Sequence, residues 1–226
     1  MEYVKIHSLW KRQGWYFEEK KKANTSPDAQ KTRQSFIIGD YAQPEFNSIK
    51  HWSVDEKIDG TNIRITFKDG KVSIGGRTAN AQLPSSLLEY LQSTFKDSFF
   101  HEKFPPTEAG ESHVILFGEG YGPKIQAGGS LYRDTPGFIL FDVWANGWWL
   151  KRYDVKMIAE AFSVPMVPFL GIMTEDQIIE FVKSRPLSTI SAIPQIMEGV
   201  VCRSHPLMLF RNGVPIIWKL KCKEFK

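Results

Sequence analysis

The sequence predicts an α+β fold built around antiparallel β-sheets flanked by helices. Three observations carry this expectation. Residues 51–57, 62–67 and 71–74 alternate in period two, the pattern of half-buried strands. Two-residue turn signals, Asp69-Gly70 and Asn146-Gly147, stand where hairpins would join neighbouring strands. Apolar side chains return at helical spacing in residues 87–100, where Leu87, Leu88, Leu91, Phe95 and Phe99 share one face.

The elements follow in order. Residues 11–35 are polar and charged, and residues 18–22 followed by Asn24-Thr25-Ser26-Pro27 read as an exposed loop or frayed helix. Beyond the 87–100 helix come strands at 114–118 and 138–144 with a Gly-rich connection between them. The Asn146-Gly147 turn pairs the second strand with residues 148–151. Residues 153–162 and 175–184 read as helices, and three strands at 199–203, 208–211 and 216–221 close the chain. No internal repeat or low-complexity linker divides it. One domain over residues 1–226 is expected, with residues 1–50 as an N-terminal extension.

Composition narrows the class. At 42% hydrophobic and 24% charged, 226 residues have enough apolar material for a sizeable core, and sixteen Phe and seven Trp should dominate it. The net charge of +4 is compatible with a polyanionic partner, through counterion release from phosphates, without singling one out. Cys202 and Cys222 show neither metal-ligand spacing nor a disulfide framework. The five histidines show no zinc spacing. No apolar run approaches the roughly 20 residues of a membrane helix, and no signal segment opens the chain. A soluble, cytoplasmic protein is expected, a monomer by default.

The most informative stretch is Glu56-Lys57-Ile58-Asp59-Gly60-Thr61-Asn62. A lysine at a strand end, followed by Asp-Gly, sets a primary amine at a turn where backbone can approach a phosphate closely. By itself the stretch is equally an ordinary β-turn with an exposed lysine. Four further features stand with it. The apolar strand ending in Phe117-Gly118-Glu119 leads into Gly120-Tyr121-Gly122. Phe141-Asp142 sets an aromatic beside an acid, and Glu198 opens the strand Gly199-Val200-Val201. Lys219 and Lys221 share one face of a strand, because alternate residues point the same way. Charges pointing inward from apolar strands are costly unless paired or functional. Together they suggest one site of mixed charge around Lys57.

In this order and spacing the chain resembles the covalent nucleotidyltransferase superfamily of ATP-dependent DNA and RNA ligases and mRNA capping enzymes. Lys57 with Asp59-Gly60 resembles the superfamily's Lys-x-Asp-Gly nucleophile motif. Phe117-Gly118-Glu119, Phe141-Asp142, Glu198-Gly199-Val200-Val201 and Lys219-Leu220-Lys221 resemble its later motifs. Asn62, five residues after the nucleophile, is similar to the branch of phage RNA ligase 2 and the RNA-editing ligases, where DNA ligases and capping enzymes usually carry arginine. Arg77 within Gly76-Arg77-Thr78 and the run from Gly118 to Gln126 are also close to that branch.

The resemblance implies an ATP-grasp-like nucleotidyltransferase domain, here without a C-terminal OB or helical domain. The activity it implies is an ATP-dependent RNA ligase that seals 5′-phosphate and 3′-hydroxyl ends through a lysyl-AMP on Lys57. ATP and Mg²⁺ or Mn²⁺ would be the cofactors, and nucleic acid the partner, RNA in preference to DNA. Glu119 would accept hydrogen bonds from the ribose, Phe141 would stack on adenine, and Glu198 is the metal candidate. Glu56 and Ile58 would read the adenine edge through their backbone; Asn62 and Arg77 would hold phosphates. Lys219 and Lys221 would contact the α-phosphate and lower the Lys57 pKa by repulsion. Lys223 lies on the same alternation, so the pair 221 and 223 stays open, although the interval from Glu198 favours 219 and 221. The alternatives are a minimal DNA ligase, a GTP-using capping enzyme, and a non-catalytic nucleic-acid-binding protein on the same fold.

Overall fold

The computed structural model describes residues 2–12, 17–19, 29–31, 36–78, 80–106, 108 and 110–225. The N-terminal region carries short strands: β1 (His7–Ser8), β2 (Trp10–Arg12), β3 (Phe17–Glu19), β4 (Ala29–Lys31) and β5 (Phe36–Tyr41). β2 pairs with β5 and β3 with β4, both antiparallel. The loop-or-helix expectation for residues 18–22 is therefore corrected at residues 18 and 19, which lie on a strand; residues 20–28 lie outside the described residues.

β6 (Trp52–Lys57), β7 (Thr61–Lys68) and β8 (Lys71–Gly76) follow. β7 and β8 form the expected hairpin, with Asp69 and Gly70 both at positive φ (51° and 71°), as a primed turn requires. The single helix expected over 87–100 is two, α1 (Ser85–Thr94) and α2 (Asp97–Lys103). Leu87, Leu91 and Phe95 bury one face, but Lys96 is extended, which shifts the phase so that Phe100 is buried and Phe99 is exposed. Asp97 fixes the break by accepting from Val72 N at 2.8 Å.

β9 (Val114–Tyr121), the short α3 (Gly129–Tyr132), β10 (Gly137–Ala145) and β11 (Trp148–Trp149) come next. α4 (Arg152–Ala161), β12 (Phe169–Met173), α5 (Glu175–Lys183), β13 (Gly199–Ser204) and β14 (Ile217–Lys221) complete the order. β12 escaped the sequence reading. The strand expected at 208–211 is absent; Leu209 makes only an isolated bridge to Pro215. There Met208 N donates to Ser204 Oγ at 2.7 Å and Phe210 N to Val214 O at 2.7 Å. Local turn bonds thus take the groups a ladder would need.

Two five-stranded sheets carry the fold, in the orders β1-β14-β13-β6-β12 and β11-β10-β9-β7-β8. All their pairings are antiparallel except that of β1 with β14. The outer face of the second sheet packs on α1 and α4 around Ile63, Leu87, Leu116, Leu140 and Val155. The first sheet packs on α5 around Trp52, Val54, Ile178, Val200 and Trp218. Smaller clusters join the facing sides, such as Tyr3, Ile115, Phe117 and Ile217. Ile58-Asp59-Gly60 carries the chain from β6 in one sheet to β7 in the other. Lys57 therefore ends one sheet beside the start of the second.

Candidate active site

Strand parity decides which side chains reach the space between the sheets. Lys57 pairs with Gly199 and Asp55 with Val201 across β6 and β13; Lys221 and Lys219 pair with the same two residues across β14. Directly paired residues point the same way. The amines of Lys57, Lys219 and Lys221 consequently rise from one face. Glu56 faces the other side, where it is buried and accepts from Thr189 N at 3.0 Å and Thr189 Oγ1 at 2.6 Å. Its own N–H donates to Pro168 O at 2.9 Å.

A cleft of ≈ 410 Å³ opens between the sheets. Lys57, Glu56, Ile58, Asn62, Arg77, Glu119, Phe141 and Lys219 all line it. Glu198 and Lys221 line an adjoining polar cleft of ≈ 580 Å³, which shares Lys57 with the first. The nine residues singled out alongside Lys57 thus line the two clefts that share it. Asn62 Oδ1 is buried there with no hydrogen-bond partner among the described residues. An acceptor left so is costly unless a ligand group meets it.

The turn after Lys57 is held tightly. Gln126 Nε2 donates to Gly60 O at 3.1 Å, and Asp59 N donates to the Tyr132 hydroxyl at 3.3 Å. A Cβ on Gly60 would collide with Gly120 O and Glu119 Cγ, so glycine is required for this loop to touch β9.

Phe141 faces the cleft by alternation from Ile139, and a β-bulge sets Asp142 beside it. Leu140 pairs with Gly118 and Asp142 with Phe117, which leaves Phe141 as the extra residue. The bulge resets the alternation, so Leu140 and Val143 both enter the outer core. Phe141 and Asp142 turn to the inner side. Phe138, the other candidate for a stacking ring, is fully buried in the outer core beside Phe95.

Electrostatics corrects two expectations. Lys57 Nζ lies 2.7 Å from Glu198 Oε2 and 3.4 Å from Ile58 O, while Glu198 Oε1 lies 2.6 Å from Lys221 Nζ. Burial pulls the Lys57 pKa down, but Glu198, Glu119 and Asp59 together outweigh it, and the net shift is upward. These neighbours favour the ammonium form of the amine. The lysine whose pKa falls is Lys219, to about 8, through burial and the repulsion of Lys57 and Lys221. Burial also raises Glu119 to about 8, with Lys57 opposing and Glu198 and Asp59 adding to it. Expected as an acceptor carboxylate, Glu119 holds a proton at neutral pH.

A second charged group behind the cleft escaped the sequence reading. Arg203 donates to Asp55 Oδ2 at 2.7 Å and to Asp142 Oδ2 at 2.8 Å; Arg152 also pairs with Asp55, and Tyr3 OH donates to Asp142. Parity offered a signal, since Asp55 lies two residues before Lys57 and Arg203 four after Gly199, on the site face of their strands. Nothing local tied the two together.

Among the described residues, no three His, Cys, Asp or Glu side chains converge on a metal-ion position. Asp59 and Glu198 flank Lys57 instead. That donor set suits a hydrated Mg²⁺ or Mn²⁺ held jointly by one or two carboxylates and substrate phosphates, rather than a metal caged by protein alone.

Two facing antiparallel sheets, with an amine at their crossover ringed by carboxylates and further lysines, make a site able to receive a phosphate ester and offer it a nucleophile. The family described as RNA ligase matches residues 50–221, and this chain belongs to it. Similar solved structures come from Naegleria gruberi. Its RNA ligase with PPi is 18% identical with a TM-score of 0.54, over 76% of this chain and 49% of that one. A mutant of that ligase with ATP and Mn is 18% identical with a TM-score of 0.58, over 79% and 52% of the two chains. Another, also with ATP and Mn, is 16% identical with a TM-score of 0.53, over 90% and 58%. At these identities the likeness is one of fold, and this chain spans about half the length of those structures. No curated protein matches it. Among the described residues, no helix is long and apolar enough to cross a membrane.

Proposed function

We propose that this chain carries the nucleotidyl-transfer unit of an ATP-dependent RNA ligase, on an ATP-grasp-like fold. The observation that carries the reading is the position of Lys57, at the crossover of the two sheets and shared between the ≈ 410 Å³ cleft and the Glu198–Lys221 pair. Its Nζ, once deprotonated, attacks the α-phosphate of ATP. A P–N bond forms as the bond from the α-phosphorus to the bridging oxygen breaks, and the electron pair leaves with pyrophosphate. One of the two amine protons of Lys57 passes to solvent, which leaves a lysyl-AMP phosphoramidate with the other still on nitrogen. A 5′-phosphate oxygen of RNA then attacks the same phosphorus and displaces Lys57, and the adjoining 3′-hydroxyl displaces AMP to seal the strand.

Each lining residue has a matching task. Phe141 supplies a ring for adenine, with Ile58 and the backbone at Glu56 along the same wall. Glu119, carrying its proton, donates one hydrogen bond and accepts another at the ribose diol. Lys219 and Lys221 stabilise the charge that develops on the α-phosphate. Asn62, paired with Glu119 across β7 and β9, and Arg77 also line the cleft and would hold phosphates of the acceptor strand. Glu198 and Asp59 would hold a divalent ion together with the substrate phosphates; when bound, it offsets phosphate charge and favours the leaving group. This reading takes the lysine pair as 219 and 221.

The test is intact mass after incubation with ATP and Mg²⁺, using protein first cleared of bound AMP with pyrophosphate. One added AMP on the wild type and none on Lys57→Ala is the expected result. An adduct that survives Lys57→Ala, or none from ATP on the wild type, overturns the assignment. Nicked RNA, nicked DNA and hybrid duplexes offered to the adenylylated protein then decide the acceptor.

A further inference from the structure

We propose that the inner face of the β7–β8 hairpin is a track for the phosphodiester backbone of the acceptor strand, the RNA strand whose 5′-phosphate takes AMP. The proposal rests on the adenylyl-transfer reading above and deepens it, assigning a task to side chains outside the motifs.

Parity places those side chains. Ile63, Ile65 and Phe67 are buried in the outer core, so Asn62, Arg64, Thr66 and Lys68 point to the opposite face of β7. The ladder to β8 runs without a register shift, pairing Arg64 with Gly75, Thr66 with Ser73 and Lys68 with Lys71. Paired residues share a face, and Arg77 continues the β8 row by alternation. Asn62 and Arg77 both line the nucleotide cleft, which marks the end of the two rows that opens towards Lys57. From there the face runs about 20 Å to the turn at Asp69-Gly70.

The chemistry of the face is that of a phosphate track. Across the two rows stand four cations, two hydroxyls, one amide and a glycine, with no carboxylate and no apolar side chain. Such groups hold phosphate and sugar oxygens without reading base sequence. On the neighbouring strand β9 the same face carries Ile115 and Phe117, which are covered by Tyr3 and Ile217. The hairpin is left open instead: Lys68, Lys71, Ser73 and Arg77 are all exposed. The Arg64 guanidinium lies across Gly75, 3.5 Å from where a Cβ would stand. Lys71 meets Asp97 at 3.2 Å, but this pair is itself exposed and holds the lysine weakly. Asn62 and Arg77 are proposed to hold the 5′-phosphate beside Lys57. The nucleotides that follow it then leave the cleft in the direction the two rows take.

The double variant Lys68→Ala/Lys71→Ala tests this, because both side chains are exposed and neither lines the nucleotide cleft. Wild type and variant should form the AMP adduct equally well. The preformed adducts, freed of ATP, are then given nicked RNA whose acceptor strand spans a full helical turn, over a series of salt concentrations. Transfer of AMP should be slower in the variant. The log–log dependence of its kcat/KM on salt should be shallower by roughly one for each lysine lost. With a 5′-phosphorylated dinucleotide as acceptor, too short to leave the cleft, the two proteins should match. Lys156→Ala/Lys183→Ala, on the helices α4 and α5, should keep the wild-type slope. An unchanged slope in the hairpin variant overturns the proposal, as does an equal change in the helix variant, which would reflect net charge alone. Impaired adduct formation in the hairpin variant, or a difference that persists with the dinucleotide, also overturns it. If the wild type forms no adduct, the functional reading fails separately. Fluorescence anisotropy of the labelled nicked RNA over the same salt series then decides the face alone, where equal slopes for wild type and hairpin variant refute it.

Discussion

Lys57 Nζ and Glu198 Oε2 meet at 2.7 Å, although the two residues are 141 positions apart in the chain. The second oxygen of Glu198 reaches Lys221 at 2.6 Å, so one carboxylate serves two amines. Burial raises the Glu198 pKa, but Lys57 and Lys221 outweigh it and the net shift is downward. The same partnership keeps Lys57 protonated. On the proposed adenylyl-transfer reading, nucleotide phosphates and a metal would compete for this carboxylate and release the Lys57 amine.

Replacing Glu198 with Gln should therefore lower the Lys57 pKa in the nucleotide-free protein. Glu198 contributes to its upward shift by charge and by hydrogen bond, while burial, which pulls it down, remains. An NMR titration of the lysine side-chain carbons reads this directly, with Lys57→Arg assigning the resonance. A Lys57 that titrates no lower in the variant would show that Glu198 does not hold its proton.

Glu119 should make the protein less stable as pH rises through neutrality. Its folded pKa is raised from 4.5 to about 8, so between these values the folded state binds more protons than the unfolded state. Stability then falls with rising pH, by up to about 1.4 kcal/mol per unit. Glu119→Gln should flatten the curve between about pH 5 and about pH 8. Urea unfolding across that range checks it, and an equal slope in both proteins counts against the buried, protonated carboxyl.

Phe138 and Phe141 stand three residues apart on β10 and so point to opposite faces of the sheet. Phe141→Ala should weaken ATP capture by roughly tenfold, within the range for loss of a base–aromatic stack, with little change in unfolding. Phe138→Ala removes a fully buried ring and should cost about 3–5 kcal/mol of stability. The KM for ATP and the urea midpoint, measured on both variants, separate the roles. Equal effects from the two would show that Phe141 is plain core.

Arg203→Met should destabilise the fold by about 3–5 kcal/mol, because it leaves Asp55 and Asp142 buried without the guanidinium they share. Adding Asp142→Asn to Arg203→Met should recover part of the loss, because Asp55 keeps its ion pair with Arg152 while Asp142 is left without the guanidinium. Thermal unfolding of the single and double variants gives the coupling. Strict additivity would mean that the two groups do not depend on each other.

Much of the architecture was legible because strands advertise themselves locally. Period two identified β6, β7 and β8, Asp69-Gly70 announced the hairpin between β7 and β8, and the order of the motifs from Lys57 to Lys221 pointed to one site. Parity also foretold that Lys219 and Lys221 would rise from the same face. These features depend on residues within a few positions of one another, which pattern and turn chemistry can report.

Other features depended on contacts between distant elements. The helical repeat of residues 87–100 breaks at Lys96 because Asp97 docks on Val72, and Asp142 joins Phe141 on the inner side because β10 bulges against β9. Residues 208–211 have a strand's composition but spend their backbone groups on a local turn. The Lys57 pKa moved opposite to expectation because sequence order placed two lysines near it without ranking them against Glu198. By itself, the sequence determined that Lys219 and Lys221 share one face of a strand and the family to which the chain belongs. Only the tertiary structure decided which opposite charges meet there, since an ion pair answers to distance and burial in space, and spacing along the chain specifies neither.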